Sequence, residues 1–172
     1  SASFDGAGDS VSIPDSDDWN FGTGDFTIDS WAKFNTLTDQ TIFGQAVSTS
    51  NFYRLVWDQA GSLIFKYTNG TSDLNLSRAW NPQANTWYHI AVVRSGNSFK
   101  LFVNGSQLGA DLIDSRSMPD LSANFNIGFD GLVSYLNGSI DEFRISKGIA
   151  RWISNADFIS NPPTEYTEDA ST

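Results

Sequence analysis

Within Thr86–Gly105, TWYHIAVVRSGNSFKLFVNG, two apolar runs flank the polar tetrapeptide Ser95-Gly96-Asn97-Ser98. The second run ends in Asn104-Gly105, a pair that accepts the positive φ angles of a two-residue hairpin turn, and Leu108 and Leu112 follow on a return strand. Both faces of Trp87–Val93 are apolar: Trp87, Ala91 and Val93 point one way, Ile90 and Val92 the other. Such a run belongs to a strand covered on both sides or to the floor of a groove, not to a sheet edge. At ~3.3 Å per residue it is about 26 Å long, the span of a central strand in a large sandwich.

The same pattern recurs along the chain. Asp25–Phe34 alternates Phe26, Ile28 and Ser30 against Thr27, Asp29 and Trp31. Thr41–Ala46, Phe52–Asp58 and Leu63–Thr68 follow at intervals of roughly ten residues, each bounded by turn-forming clusters such as Asn69-Gly70. Shorter strands are expected at Ser3–Gly6, Ser10–Ile13, Leu74–Leu76 and Asn124–Phe129, and the last at Ser139–Ser146. Roughly a dozen short strands with almost no helical periodicity predict an all-β fold, an antiparallel two-sheet β-sandwich of jelly-roll type. Beyond Gly148 the alternation stops. Ser154 and Asp157 have the spacing to cap one helical turn, and the segment from Asn161 is polar, Pro-containing and aperiodic. Residues 1–153 are therefore expected to form the sandwich, with 154–172 a short helical turn and a linker or tail.

Composition removes several functions. There is no cysteine, hence no disulfide, thiolate metal site or thiol nucleophile. Ten Lys and Arg face twenty Asp and Glu, for a net charge of −10, and the basic residues are scattered singly. No basic patch is available for nucleic acid, and no apolar run is long enough for membrane insertion. The opening SASFDG is neither a signal peptide nor an initiator Met, so the sequence reads as one domain of a longer chain with other domains as neighbours.

Six Trp exceed what a core of this size usually needs, and saccharides bind aromatic faces flanked by amides and charges. Trp19, Trp80 and Tyr135 fit no strand period and stand beside Asp18, Asn81 and Asn137, so they are expected at an exposed rim. In Phe52–Asp58, Tyr53, Leu55 and Trp57 share one face and Arg54, Val56 and Asp58 the other. If the Leu-bearing face is buried, Arg54, Asp58 and Lys66 line a concave sheet. The candidate ligand-binding set is Trp19, Arg54, Trp57, Asp58, Lys66, Trp80 and Tyr135.

The pieces Phe4-Asp5-Gly6, Phe21-Gly22-Thr23-Gly24-Asp25-Phe26-Thr27-Ile28, Asn85–Arg94, Asn104-Gly105 and Asn137–Ser146 resemble the laminin-G-like branch of the concanavalin A-like lectin/glucanase superfamily, over about residues 2–153. The resemblance implies two curved antiparallel sheets, often a structural Ca²⁺, and a ligand site on the concave face or at its rim. The family's cation site would here use the carbonyls around Asp5-Gly6, the Asp141 carboxylate and Asp9. Laminarinase-like relatives carry Glu-x-Asp-x-x-Glu, since glycosidic cleavage needs two carboxylates. The only Glu here are 142, 165 and 168, and no such pattern exists. The superfamily's lyases use a Gln-Ile-His strand motif; the only histidine, His89, lacks the Gln and is expected to be a hydrogen-bonded structural residue. Asp25 and Asp29 are expected on a solvated strand edge. The combined expectation is a non-catalytic, glycan-binding module of an extracellular or surface multidomain protein. Its main rival is a structural or protein-interaction domain of an adhesin or phage tail fibre; a polysaccharide hydrolase or lyase is the third reading.

Overall fold

The computed structural model describes residues 1–155 and 157. Thirteen strands run in chain order among these residues: β1 Ala2–Asp5, β2 Val11–Ile13, β3 Phe26–Phe34, β4 Gln40–Ser48, β5 Asn51–Asp58, β6 Ser62–Thr68, β7 Asp73–Ala79, β8 Trp87–Ser95, β9 Ser98–Val103, β10 Ser106–Gln107, β11 Leu112–Ile113, β12 Phe125–Ile127 and β13 Asn137–Lys147. They form two antiparallel sheets. One has the order β1-β13-β3-β8-β9-β10, with β11 also on β9; the other has the order β2-β12-β4-β5-β6-β7. Period-2 alternation puts Phe26, Ile28, Ile90, Val92 and Leu101 of the first sheet against Tyr53, Leu55, Phe65, Leu76 and Phe125 of the second.

The hairpin expected at Asn104-Gly105 is present. Ser106 pairs with Val103 across a two-residue turn, with φ of 47° at Asn104 and 78° at Gly105. The Asn104 side chain also accepts the His89 N–H at 2.9 Å, tying the turn to the neighbouring strand. The return strand is split: Leu108 still donates to the Leu101 carbonyl at 2.8 Å, and residues 109–111 leave the ladder between β10 and β11.

The second apolar face of β8 is explained by a smaller cluster on the outside of the seven-stranded sheet, where Trp152 covers Ala91, Val93 and Phe102. Beneath Trp152 the His89 ring nitrogen Nε2 lies 3.0 Å from Asp29 Oδ2, and Arg144 donates to both Asp29 oxygens at 3.2 Å. Asp29 thus departs from the solvated edge expected for it. β3 lies between β13 and β8, and the carboxylate is buried because two nitrogen-bearing partners compensate its desolvation. Asp25 instead accepts the Gly96 N–H at 2.6 Å.

At the far end of β8, the fully buried Arg94 collects loops. It donates to the carbonyls of Gly96 (2.9 Å), Gly22 (2.7 Å), Arg116 (3.0 Å) and Asp114 (3.4 Å), with its guanidinium 4.7 Å from the Phe99 ring centre. Asp114 pairs with Arg116 at 2.7 Å and accepts from Tyr67 Oη at 2.9 Å. The Arg116 hydrogen bond holds the Asp114 carboxyl down at about 2, and burial pushes the Tyr67 hydroxyl up to about 12. Ser154 and Asp157 make the expected capping contacts: the Asp157 N–H donates to Ser154 Oγ at 3.4 Å and Ser154 Oγ to Asp157 Oδ2 at 2.9 Å. The linker expected from Asn161 lies outside the described residues.

Candidate functional site

The outer face of the six-stranded sheet follows from the alternation of β5. Tyr53, Leu55 and Trp57 enter the core, so Phe52, Arg54, Val56 and Asp58 face outward. Register then assembles one straight row across five strands: Asn126 opposite Gly44, Gly44 opposite Arg54, Arg54 opposite Lys66 and Lys66 opposite Asn75. Neighbours in such a row stand ~4.8 Å apart. The half-buried pair Val56 and Ile64 runs beside it on one side, and Phe52 on the other. Phe52 supports both cations, with the Arg54 guanidinium 4.9 Å and the Lys66 ammonium 5.7 Å from its ring centre.

The 128–136 loop between β12 and β13 forms a wall over one end of the row. Asp130 is fully buried at its base. Its Oδ1 accepts the N–H groups of Leu132 (2.9 Å), Val133 (2.9 Å) and Ser134 (3.0 Å), and its Oδ2 accepts from Arg54 Nη1 at 2.7 Å. The loop sits on the strand so closely that a Cβ at Gly44 would lie 2.7 Å from Asp130 Cα. The stacked rings of Phe129 and Tyr135, 4.3 Å apart and 13° from parallel, join its two legs. Arg54 is therefore held in place with one donor group to spare: Nη2 makes no hydrogen bond among the described residues, while Nε is buried without a partner. Lys66 meets no carboxylate and makes no hydrogen bond among them either, and Asn75 beside it is exposed. This is an array of unspent N–H donors on a rigid sheet, with its one carboxylate fully engaged.

The expected ligand-binding residues separate into three groups. Arg54 and Lys66 stand side by side as above, and Tyr135 belongs to the adjoining wall. Asp58 faces the same side but caps the β5–β6 turn, accepting the Ser62 N–H at 2.9 Å, four residues or roughly 13 Å along the strand from Arg54. Trp57 is a core residue, 4% exposed, stacked on Phe34 and donating its indole N–H to the Trp80 carbonyl at 2.9 Å; it offers no ring face to a ligand. Trp80 and Trp19 are half-buried plugs at opposite ends of the core. Trp80 packs on Phe34 and Tyr88, while Trp19 packs on Phe125 and donates to the Pro14 carbonyl. They do not converge on one rim. Phe52, Asn75 and Asp130 were not among the expected residues. The first two could have been found by extending the strand alternation that exposes Arg54 and Lys66, whereas nothing local marks Asp130.

A family model of laminin G-like domains, described as the concanavalin A-like lectin/glucanases superfamily, matches residues 5–150. The chain belongs to that superfamily. Solved structures of similar fold include domain 4 of AbnA, an extracellular arabinanase of Geobacillus stearothermophilus, in complex with arabinotriose. That match has 20% identity and a TM-score of 0.68, covering 88% of this chain and 71% of that one. The CBM40 of a Ruminococcus gnavus sialidase, bound to α2,3-sialyllactose, matches at 16% identity and a TM-score of 0.64, covering 91% and 96%. Domains LG4-5 of the mouse laminin α1 chain match at 15% identity and a TM-score of 0.65, covering 83% of this chain and 40% of that one. At these identities the likeness is one of fold. Comparison with curated protein sequences gives no match.

The superfamily's cation site was expected at Asp5, Gly6, Asp9 and Asp141, and the register of β1 on β13 divides these residues. Asp5 lies opposite Asn137, four residues or roughly 13 Å from Asp141 along β13. Asp5 and Asp9 are engaged with the backbone N–H groups of Ala7 and Asp5, and Asp141 with that of Glu142. The four do not form one cage, and no cluster of three or more His, Cys, Asp or Glu suited to a metal occurs among the described residues. Asp141 and Glu142 instead edge a cavity of about 280 Å³ between the sheets, walled by Phe4, Val11, Ile127 and Phe143.

Proposed function

We propose that this superfamily member is a non-catalytic glycan-binding module, acting outside the cell or at its surface within a multidomain protein. The observation that carries the reading is the in-register row of polar and cationic side chains on the outer face of the six-stranded sheet, braced by Phe52 and bounded by the 128–136 loop. A rigid sheet face with fixed donors and an apolar strip at Val56 and Ile64 suits a saccharide, which presents oxygens on its edge and C–H patches on its faces. Solved structures of like fold that hold arabinotriose and sialyllactose support the same ligand class. The non-catalytic part rests on how the titratable groups are used. Asp29, His89 and Arg144 are locked together under Trp152, and both Asp130 oxygens are occupied.

Affinity electrophoresis through gels containing neutral and acidic polysaccharides tests the reading. Retardation by at least one polysaccharide is expected, reduced in Asn75→Ala and Lys66→Gln at unchanged melting temperature. Migration unaffected by every polysaccharide would overturn it.

A further inference from the structure

Resting on the glycan-binding reading of the same face, we propose that the saccharide it takes is anionic, a sugar carrying a carboxylate or a sulfate ester, gripped across Arg54, Lys66 and Asn75.

The chain carries ten Lys and Arg against twenty acids, yet two of those ten stand side by side at the centre of an open sheet face. Like charges directly opposite on adjacent strands repel, so this pair costs stability unless something negative neutralises it. Asp130 neutralises only one. It lies against Arg54 Nη1, on the far side from Lys66, because Arg54 is flanked in register by Gly44, which the loop covers, and by Lys66. The local balance of Arg54, Lys66 and Asp130 is therefore one positive charge, on the side of the row away from the loop. The donors left over are Arg54 Nη2, Lys66 Nζ and the Asn75 amide, spread over about 10 Å of three adjacent strands. A neutral saccharide offers hydroxyls that donate as well as accept and is best read by a mixture of carboxylates and amides. This row, with its one carboxylate engaged four times over, favours groups that only accept.

Order is supplied in advance. Arg54 is fixed by Asp130 and both cations rest on Phe52, so little side-chain freedom is lost when an anion docks. Arg54 Nη2, the guanidinium nitrogen left uncommitted, and the Lys66 ammonium each suit a carboxylate or a sulfate as a charged donor. The net charge of −10 opposes the approach of an anionic polymer at long range, so the site is suited to short anionic segments or terminal residues rather than to a polyanion lying along the surface.

Isothermal titration of the full chain in about 100 mM salt decides it, with matched probes: 3′-sialyllactose against lactose, trigalacturonate against a neutral trigalactoside, and lactose 3′-sulfate against lactose. At least one acidic probe is expected to bind tenfold or more tighter than its neutral partner. Lys66→Gln should remove most of that preference without moving the melting temperature, and the carboxylate and sulfate arms separate the two sources of charge. Equal binding of neutral and acidic partners in all three pairs, or an acidic preference untouched by Lys66→Gln, overturns this proposal and leaves the glycan-binding reading standing. No binding of any saccharide, neutral or acidic, overturns both.

Discussion

Replacing Gly44 by Ala tests whether the 128–136 loop is seated on β4 as described. Gly44 does not occupy the left-handed region, so alanine meets no backbone objection there, and on strand propensity alone the change would stabilise by about 0.5–1 kcal/mol. The obstacle is contact. The new methyl would lie 2.7 Å from Asp130 Cα, 2.8 Å from its carbonyl oxygen and 2.9 Å from its carbonyl carbon, all backbone atoms that no side-chain rotation can move aside. To restore ordinary van der Waals distance the loop must lift by about 1 Å, an overpacking cost of about 1–3 kcal/mol. The same displacement stretches the 2.7 Å bond between Arg54 and Asp130, a charge-assisted contact worth about 1.5–3 kcal/mol. Set against the propensity gain, the net loss is roughly 2–5 kcal/mol. For a domain of this length that lowers the melting temperature by roughly 4–20 °C. Thermal unfolding followed by tryptophan fluorescence, with a urea titration to confirm the free energy, measures it. Gly96→Ala is the comparison: its φ of 58° penalises any side chain but nothing lies within 4 Å, so about 1 kcal/mol is expected. A melting temperature for Gly44→Ala equal to or above the parent's would refute the seating of the loop, and with it the fixed position of Arg54.

Arg94→Met leaves four loop carbonyls without their donor while keeping the side-chain bulk, and should cost about 3–5 kcal/mol by urea unfolding; Arg94→Lys should recover only part of this, since one ammonium cannot span all four. Asp114, held at about 2 by Arg116, and Asp111, held at about 2 by Lys100, both lie below the ordinary 3.8. A depressed folded value gives stability that is present above pH 4 and fades as pH falls from about 4 to 2. The urea midpoint should drop over that window, Asp114 contributing roughly 2 kcal/mol and the more exposed Asp111 less, and Asp114→Asn should flatten the profile. Because Asp5 stands roughly 13 Å along the ladder from Asp141, EDTA is expected to move the melting temperature by no more than about 1 °C. A fall of several degrees on chelation would show a cation held by a different set of oxygens.

What could be read from the sequence depended on whether the signal was local. The Asn104-Gly105 turn was legible because its geometry is fixed by two adjacent residues, and the outward pair Arg54 and Lys66 because each lies in a strand of strict alternation. That same alternation buries Trp57, which shares the parity of Leu55; its aromatic character suggested a ligand platform, but its place in the strand assigned it to the core. Loop aromatics carry no period, so nothing in the sequence near Trp19 or Trp80 announces that each plugs an end of the sandwich. Asp130 carries no local signal. Its real role depends on Arg54, 76 residues earlier, and on the absence of a side chain at Gly44. The cation set rested on the family resemblance, and which residue of β1 faces which residue of β13 is decided by a pairing between the two ends of the chain that no local signal reports.

The two outer faces show why one sheet is a candidate for binding and the other is not. Both carry charged residues in register near the middle of a sheet. On the seven-stranded sheet, Asp29 meets His89 and Arg144, Trp152 closes over them, and Arg144 retains 10% exposure. Charges buried this way are compensated by partners within the protein, and the result is a closed structural knot. On the six-stranded sheet Asp130 is equally buried, but its partner Arg54 keeps 28% exposure and Lys66 stands beside it without an acid. There the protein compensates the carboxylate completely and the cations only in part. Charge left uncompensated on a rigid, braced surface costs the folded state some stability, and a ligand of opposite sign recovers it on binding. The row through Arg54 and Lys66 is the place in the described fold where that imbalance, an open sheet face and fixed side chains coincide.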